Sequence, residues 1–349
     1  MATKAYGVQS ETEDLHLMEI ERRTLLEQDV WIDILYCGVC HSDIHTARND
    51  WGKTQYPLVP GHEIVGIVRE VGGKVSKYKI GDKVGVGCMV DSCRHCNSCK
   101  EGVENYCENG NTMTYGSPDK ISGGVTFGGY SESIVVHEDF VLSIPDNLDL
   151  SKVGPLLCAG ITTWSPLQHW KVKAGDKIAV VGLGGLGHMG IKFAKALGAK
   201  VVMISRSPEK AKDATLLGAD EVLLSTDKEA MYAEKDSFDF ILNTIPVGHD
   251  VDPYLHLLKR DGTMVLVGSI EPLTRVNGRH LVLKRKNLAG SLIGGIAETQ
   301  EMLNFCGKHN ILPECEIIPI QDINTAWDRV LASDIKYRFV IDMQSLKNI

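Results

Sequence analysis

The stretch KIAVVGLGGLGHMGIKFAKALG, residues 177–198, decides the fold class of this chain. It begins with an apolar strand, Lys177–Val181, and continues into Gly182-Leu183-Gly184-Gly185-Leu186-Gly187, which fits the pattern G-x-G-x-x-G. Apolar residues then recur every four positions up to Gly198, as on one face of a helix. A glycine loop between a strand and a helix is the setting in which this pattern binds the pyrophosphate of a dinucleotide; an ordinary tight turn is the alternative.

The alternation of strand and helix continues beyond this stretch. Val201–Ile204 is the next predicted strand, and Ser207-Pro208-Glu209 opens a helix that has Ser207 as its N-cap and ends at Gly218. Strands that alternate with helices form parallel sheets covered on both faces, so the sequence predicts a doubly wound α/β domain of the Rossmann type. The further strands predicted for this domain are Glu221–Leu224, Asp239–Leu242 and Thr263–Val267.

The chain before about residue 150 has a different pattern, in which short strands alternate with glycine turns. Strands are predicted there at Val30–Leu35, Glu63–Val71, Lys83–Val86 and Ser131–Val136. The C-terminal segment combines helix with a final strand, Tyr337–Ile341. These patterns favour a second, β-rich domain beside the α/β domain.

Composition and charge limit the function classes. Hydrophobic residues make up 43% of the chain and charged residues 23%, as in globular proteins with full cores, and the net charge is −8. This acidic balance argues against a nucleic-acid partner. The sequence has no apolar run near the roughly 18 residues of a membrane span. It also has no secretory signal, so we expect a cytoplasmic protein with reduced cysteines and no membrane partner.

Four of the ten cysteines lie close together, in the spacing Cys93-x2-Cys96-x2-Cys99-x7-Cys107. Zinc in closed structural sites prefers four tetrahedral ligands such as thiolates, and two-residue spacings let one loop wrap around one ion. The sequence therefore predicts a structural zinc site that holds an irregular lobe together. Free thiols and a zinc ribbon that binds nucleic acid are the alternatives; the net acidity of the chain disfavours the ribbon.

Three further residues are candidates for a second metal site. Cys40, His62 and Cys158 lie far apart in the sequence. Two thiolates and one imidazole leave a fourth position open, as in catalytic zinc sites. Taken singly, each cysteine is equally well explained by core packing, so this hypothesis depends on a cofactor site nearby.

The residues after the second strand of the α/β domain bear on the choice of cofactor. NAD sites usually carry Asp or Glu there, about 20 residues beyond the glycines, to bind the ribose hydroxyls. This chain has Ser205, Arg206 and, shortly after, Lys210. Cations and hydroxyls suit the 2′-phosphate of NADP(H), to which Arg and Lys donate charge-assisted hydrogen bonds. We therefore predict NADP(H); a solvated surface cluster is the alternative.

Together these residues resemble the zinc-containing medium-chain alcohol dehydrogenase family over essentially the whole chain. Gly61-His62-Glu63-x2-Gly66-x5-Gly72 fits the zinc pattern of that family. Three further segments are similar to its cinnamyl alcohol dehydrogenase branch, and within it to bacterial aldehyde reductases of broad specificity. These segments are Cys40-His41-Ser42-Asp43, Cys158-Ala159-Gly160-Ile161-Thr162 and Gly290-Ser291-Leu292-Ile293-Gly294-Gly295.

The resemblance implies two domains and assigns the zinc ligands. A GroES-like catalytic domain is expected at residues 1–155 and 294–349, and a Rossmann-type NADP-binding domain at residues 156–293. Catalytic zinc is expected on Cys40, His62 and Cys158, with Glu63 as a carboxylate that approaches the metal. Asp43 is implied as the partner that orients the ligating histidine.

The resemblance also implies a mechanism and an assembly. By this resemblance, zinc would polarise the carbonyl of an aldehyde and the nicotinamide would supply the hydride, while Ser42, the ribose hydroxyls and His45 would pass the proton. Arg338 is implied as a contact of the pyrophosphate, and the branch implies a homodimer. The candidate apolar walls of the substrate pocket, for which core packing is the alternative, are Trp51, Tyr115 and Ile293.

Two other functions are alternatives to an NADP-dependent aldehyde reductase. An NAD-dependent polyol dehydrogenase of the same family is disfavoured by the segment from Ser205 to Lys210. A non-catalytic cofactor-binding protein that uses zinc only for folding is disfavoured because all three catalytic ligands are present.

Overall fold

The computed structural model describes residues 1–268 and 271–348. The chain divides into two compact units. The first contains the chain up to Cys158 and again from Gly294, and the second runs from Ala159 to Ile293. The first boundary between the two units thus lies after Cys158 rather than after the expected residue 155. This boundary places Cys158 in the same unit as Cys40 and His62.

Short strands make up most of the first unit. The strands of its N-terminal part are β1 (Ala2–Gly7), β2 (His16–Glu21), β3 (Asp29–Gly38), β4 (Ile64–Val71), β5 (Lys83–Val86), β6 (Met89–Asp91), β7 (Thr112–Met113), β8 (Ser133–His137) and β9 (Leu142–Ser143). The helices there are α1 (His41–Ala47), α2 (Asn97–Lys100) and α3 (Leu150–Val153), with 3-10 helices at Glu104–Tyr106, Glu138–Phe140 and Gly154–Leu157. The four strands predicted from the sequence are confirmed as β3, β4, β5 and β8.

The second unit is a parallel sheet with helices between its strands. Its helices are α4 (Ala159–His169), α5 (Gly187–Ala196), α6 (Ala211–Leu217), α7 (Lys228–Ala233), α8 (Asp252–Leu257) and α9 (Gly278–Val282). Its strands are β10 (Lys177–Val181), β11 (Lys200–Ser205), β12 (Glu221–Leu224), β13 (Phe238–Asn243), β14 (Leu258–Leu266) and β15 (Asn287–Gly290). They pair in the order β12-β11-β10-β13-β14-β15, all parallel. The doubly wound α/β fold predicted from residues 177–198 is confirmed.

Burial explains why this sheet was readable in the sequence. The central strands β10 and β11 are almost entirely buried, with Ala179, Val181, Val202 and Ile204 each at most 2% exposed. A parallel strand covered on both faces has no polar face, so it appears in the sequence as a continuous apolar run.

Three details of the second unit differ from the prediction. Ser207 makes no capping hydrogen bond through its side chain, and a 3-10 helix, Pro208–Lys210, precedes α6. Strand β14 begins at Leu258, before the predicted Thr263. The prediction missed this start because residues 259–261 are polar and at least partly exposed, unlike the residues of a buried strand. β15 was missed because it lies at the edge of the sheet and is only partly buried.

The C-terminal segment completes the first unit. It contains α10 (Ile296–His309), β16 (Cys315–Pro319), α11 (Ile323–Leu331) and β17 (Arg338–Asp342), with 3-10 helices at Ile320–Asp322 and Met343–Asn348. A seven-stranded sheet results, in the order β16-β17-β3-β4-β5-β9 with β8 also paired to β3. Val340 of β17 faces Gly38 of β3, so the chain returns to the end of β3 from which Cys40 follows. Within the described residues, no helix is long and apolar enough to cross a bilayer.

Candidate metal and cofactor sites

The fold brings four dispersed residues of the first unit together. Cys40 lies between β3 and α1, His62 and Glu63 immediately precede β4, and Cys158 follows the 3-10 helix Gly154–Leu157. Their ligand atoms all lie within 4.8 Å of one another, and all four residues are buried. The two Sγ atoms are 3.9 Å apart. Two thiols, an imidazole and a carboxylate in this arrangement form a donor set that zinc binds.

The Glu63 carboxylate indicates that a cation belongs in this set. Its side chain is fully buried, and neither carboxylate oxygen has a hydrogen-bond partner among the described residues. Burial raises the pKa of Glu63 to about 7, although the Arg338 guanidinium, 3.7 Å away, opposes the rise. A buried carboxylate without hydrogen bonds is costly, and a zinc ion between the four side chains would offset this cost. The residues present therefore fit zinc.

Gly38 makes room for this carboxylate. A Cβ atom at position 38 would lie 1.9 Å from Oε2 of Glu63 and 2.9 Å from its Cβ. Any larger residue there would displace Glu63, so this glycine is needed for the close packing of β3 against the residues that precede β4.

The orientation of His62 is set by Asp43. Nδ1 of His62 lies 3.1 Å from Oδ1 of Asp43, which is fully buried. The same carboxylate accepts hydrogen bonds from the backbone N–H of Gly61 at 3.2 Å and of Cys40 at 2.9 Å. Donation from Nδ1 to a carboxylate leaves Nε2 of His62 free to bind a metal, which is a usual arrangement for ligating histidines.

Arg338 lies beside the same set. Its guanidinium is 7% exposed and donates a 3.0 Å hydrogen bond to the carbonyl of Val39. The pKa of Cys40 is well below its usual value, chiefly because of a hydrogen bond with Cys158, and the positive charge of Arg338 contributes. Arg338 therefore favours the thiolate form of Cys40. The predicted contact of Arg338 with the pyrophosphate stays a prediction.

The two relay candidates lie on α1, directly after Cys40. Ser42 is half-buried, and its carbonyl accepts a hydrogen bond from the side chain of Thr46. Nδ1 of His45 lies 2.7 Å from Oδ2 of Asp50, and its ring lies 5.6 Å from that of Trp51. The half-exposed imidazole is thus held by a carboxylate and an indole.

The cysteine row forms a second, separate set. The thiols of Cys93, Cys96, Cys99 and Cys107 lie within 4.8 Å of one another. Backbone N–H groups point at sulfur: Cys96 to Cys93 at 3.3 Å, and Cys93 to Cys107 at 3.5 Å. The side chain of Asn109 also donates to Cys93, and this hydrogen bond is the main cause that lowers the pKa of Cys93 to about 5. Four thiols close together, two of which accept hydrogen bonds, suit a closed zinc site.

The glycine loop of the second unit has the geometry of a phosphate cradle. A Cβ at Gly187, the first residue of α5, would lie 2.0 Å from the carbonyl oxygen of Gly182, so the turn requires glycine there. A Cβ at Gly184 would meet no described atom within 4 Å, which leaves the loop open on that side. Gly185 and Leu186 lie between this open position and the N-terminus of α5. Backbone N–H groups at a helix N-terminus favour an anion.

The three residues predicted to select the cofactor lie at the end of β11 and in the turn after it. The Ser205 hydroxyl accepts a 3.1 Å hydrogen bond from the backbone N–H of Ser207. Arg206 is exposed. Lys210 donates a 2.9 Å hydrogen bond to the carbonyl of Leu183, which ties this turn to the glycine loop.

Comparison with known proteins gives the family. The model of the alcohol dehydrogenase GroES-like domain matches residues 26–146, and that of the zinc-binding dehydrogenase matches residues 185–308. Aldehyde reductase YahK of Escherichia coli is 53% identical to this chain over 348 residues, 99% of each protein. The chain belongs to the zinc-binding alcohol dehydrogenase family.

Two solved structures of this family match the whole fold. A cinnamyl alcohol dehydrogenase from Sorghum bicolor has a TM-score of 0.95 at 42% identity, covering 99% of this chain and 98% of that one. The structure of CAD from Helicobacter pylori complexed with NADP(H) has a TM-score of 0.91 at 43% identity, covering 99% of both chains. The resemblance to the cinnamyl alcohol dehydrogenase branch is thereby confirmed, and the chain is a zinc-type oxidoreductase that acts on alcohols and aldehydes.

Three residues of this alcohol dehydrogenase near the proposed active site were missed from the sequence. Asp50 pairs with His45, and its position five residues further along the chain was a usable signal. Neither Gly38 nor Cys88 has a signal in the sequence that could have identified it. Cys88 is buried, donates to the carbonyl of Leu157 at 3.7 Å and interacts with the thiol of Cys158.

The candidate pocket walls fall into three different settings. Trp51 is 46% exposed beside His45. Tyr115 is 9% exposed and its ring lies 5.6 Å from that of His62, so it packs on the proposed ligand. Ile293 is the last residue of the second unit and is 8% exposed. Their contact with substrate stays a prediction.

Proposed function

We propose that this alcohol dehydrogenase reduces aldehydes of broad structure to primary alcohols with NADPH. The observation that carries the cofactor choice is the end of β11, where Ser205 and Arg206 occupy the place of the carboxylate that binds ribose hydroxyls in NAD enzymes. In this proposal the second unit binds the dinucleotide and the first unit holds both zinc ions. The complex of the Helicobacter pylori relative with NADP(H) supports the same choice.

In the proposed mechanism Cys40, His62 and Cys158 would hold the catalytic zinc with the Glu63 carboxylate beside it, which leaves the fourth position open for substrate, and Cys93, Cys96, Cys99 and Cys107 would hold the structural zinc. Zinc supplies Lewis acidity toward the aldehyde oxygen, and NADPH supplies the hydride. The protein fixes the geometry: Asp43 orients the imidazole of His62, and burial keeps water from the four side chains. Carbonyl reduction also needs a proton, which we assign to Ser42 and His45, with Asp50 holding the imidazole in place.

The cofactor proposal is tested by changing the residues after β11. Arg206→Ala removes one charged contact to the 2′-phosphate, which is worth roughly 1.5–3 kcal/mol, with the lower value expected at an exposed position. We therefore expect kcat/KM for NADPH to fall by about tenfold and that for NADH to change little. Ser205→Asp should lower kcat/KM for NADPH further and raise kcat/KM for NADH. The new carboxylate repels the 2′-phosphate and accepts hydrogen bonds from the ribose hydroxyls.

Lys228→Ala is the matched control, since it removes an exposed cation from the same unit outside the predicted phosphate site. It should leave the ratio of kcat/KM for the two cofactors unchanged. A wild-type enzyme that prefers NADH, or variants that weaken both cofactors equally, would contradict the proposal. The zinc assignment rests on other residues and would stand in either case.

We further propose that the enzyme is a homodimer that pairs through β15. This strand ends the parallel sheet, and among the described residues it pairs with β14. The end of α9 nearby exposes Val282 and Leu283, which are 80% and 68% accessible. An unpaired edge beside exposed apolar residues favours a second copy. Light scattering should give twice the chain mass, and a monomer at micromolar concentration would refute the proposal.

We also propose a cytoplasmic location. All ten cysteines of the chain are unbridged. Nine of them belong to the two metal sets or lie buried, as expected in a reducing compartment.

A further inference from the structure

Tyr130 is a fully buried residue in the first unit that neither the sequence motifs nor the mechanism uses. It lies three residues before β8, and its side chain is among the largest in the chain that are completely inaccessible. Its backbone carbonyl accepts a 2.7 Å hydrogen bond from the N–H of Tyr6, which fixes the residue at the strand β1. A buried phenol normally has a partner for its hydroxyl, so the position of that hydroxyl is informative.

Tyr130 and Gly129 hydrogen-bond to the loop that carries His62. The N–H of Tyr130 donates to the carbonyl of Pro60 at 3.0 Å, and the N–H of Gly129 donates to the carbonyl of Gly61 at 2.8 Å. The ring of Tyr130 packs on Gly61: a Cβ there would lie 2.7 Å from Cδ1 of the ring. Gly61 also has a φ of +104°, which favours glycine. The loop before His62 is therefore held by both backbone and ring contacts.

The hydroxyl of Tyr130 contacts Asp43, the residue that orients His62. It donates a 3.1 Å hydrogen bond to Oδ2 of Asp43. The same carboxylate also contacts the backbone N–H groups of Cys40 and Gly61 and the imidazole of His62, all in or next to the segments that carry ligands, and it interacts with the Tyr115 side chain. Tyr130 thus adds a donor from a separate part of the fold, and it opposes rotation of Asp43 away from the imidazole.

We propose that Tyr130 is a positioning residue for the catalytic zinc, which acts on the ligand His62 through Asp43. The inference rests on the proposed ligand set. Residues that hydrogen-bond directly to a metal ligand typically change metal affinity or activity by 10–100-fold when they are replaced. Tyr130 is one hydrogen bond further out, so we expect an effect near the lower end of that range.

The test compares the release of zinc to a chromogenic chelator from wild type and Tyr130→Phe. The phenylalanine keeps the ring on Gly61 and removes only the hydroxyl, so the variant should fold. We expect zinc to leave the catalytic site roughly 3- to 10-fold faster and the visible spectrum of the cobalt-substituted enzyme to shift. Tyr78→Phe is the matched control, because its hydroxyl donates to the carbonyl of Val141 away from both metal sets. It should release zinc at the wild-type rate.

A double-mutant cycle shows whether Tyr130 acts through Asp43. In an Asp43→Asn background, Tyr130→Phe should change zinc release much less than in wild type, because the two side chains act as one unit. The proposal is overturned if Tyr130→Phe matches Tyr78→Phe, or if its effect is equally large in both backgrounds. Cys158→Ala separates these outcomes from a wrong ligand set: if that variant kept its full zinc content, the proposed set itself would be at fault.

Discussion

The two metal sets of the first unit are built in opposite ways. The cysteine row lies within one irregular segment, and two of its members, Cys93 and Cys107, are only half-buried. The other set takes residues from three separate segments, at Cys40, His62–Glu63 and Cys158, and buries all of them. A local set needs only its own loop to form. A dispersed set exists only when β3, β4 and the 3-10 helix before Cys158 are packed together.

This difference matches two different tasks. In the row, backbone N–H groups and the Asn109 amide donate hydrogen bonds to the sulfur atoms of Cys93 and Cys107, which favours their thiolate forms. The dispersed set contains Glu63, a buried carboxylate without hydrogen bonds, next to the charged Arg338. Strained electrostatics of this kind are typical of sites that perform chemistry. We therefore propose that the row stabilises the fold and that the dispersed set is catalytic.

The largest effect that separates the two sets is expected on activity. Cys158→Ala removes a thiolate from the dispersed set and should lower kcat/KM for aldehyde reduction by about 10³-fold, since Lewis acidity contributes several kcal/mol and ~1.4 kcal/mol is one decade. Steady-state kinetics check this. Cys306→Ala, which truncates a buried thiol outside both sets, is the control and should retain activity. Equal losses in both variants would mean that Cys158 matters only for packing.

The next effect is on stability. Cys99→Ser should destabilise the enzyme, because structural zinc contributes roughly 10–16 kcal/mol to the folding of zinc-finger peptides. Even about a third of that would lower Tm by roughly 10 °C, at ~2–4 °C per kcal/mol for a domain of this size. Differential scanning calorimetry measures it. Cys315→Ser, a half-buried thiol outside the row, should change Tm far less; a similar fall in both would remove the special role of the row.

The contrast between local and dispersed features also explains what the sequence could predict. The α/β unit could be predicted because the residues that indicate it are adjacent in the sequence. The strand Lys177–Val181, the glycine loop and the apolar face of α5 follow one another directly. The four-cysteine spacing was readable for the same reason. Strand β15 was not, because an exposed edge strand needs no apolar run, and neither was the polar start of β14.

The dispersed site could be predicted only through resemblance to a family. No spacing in the sequence relates Cys40 to Cys158, and each cysteine alone resembles core packing. The contacts that hold the site in place are less accessible still. Gly38 matters because of the atom of Glu63 that it faces, and Tyr130 because of the distance of its hydroxyl from Asp43. Neither property has a periodicity or a motif, so both appear only in three dimensions.

We propose that this chain holds two zinc ions in independent sets, one for chemistry and one for the fold. The most direct test is to count zinc by native mass spectrometry in wild type, Cys158→Ala and Cys99→Ser. We predict two ions per chain in wild type and one in each variant, with activity lost and melting temperature nearly kept in Cys158→Ala, and a lowered melting temperature in Cys99→Ser. A single zinc in wild type that survives Cys158→Ala would rule out a catalytic zinc at the dispersed set.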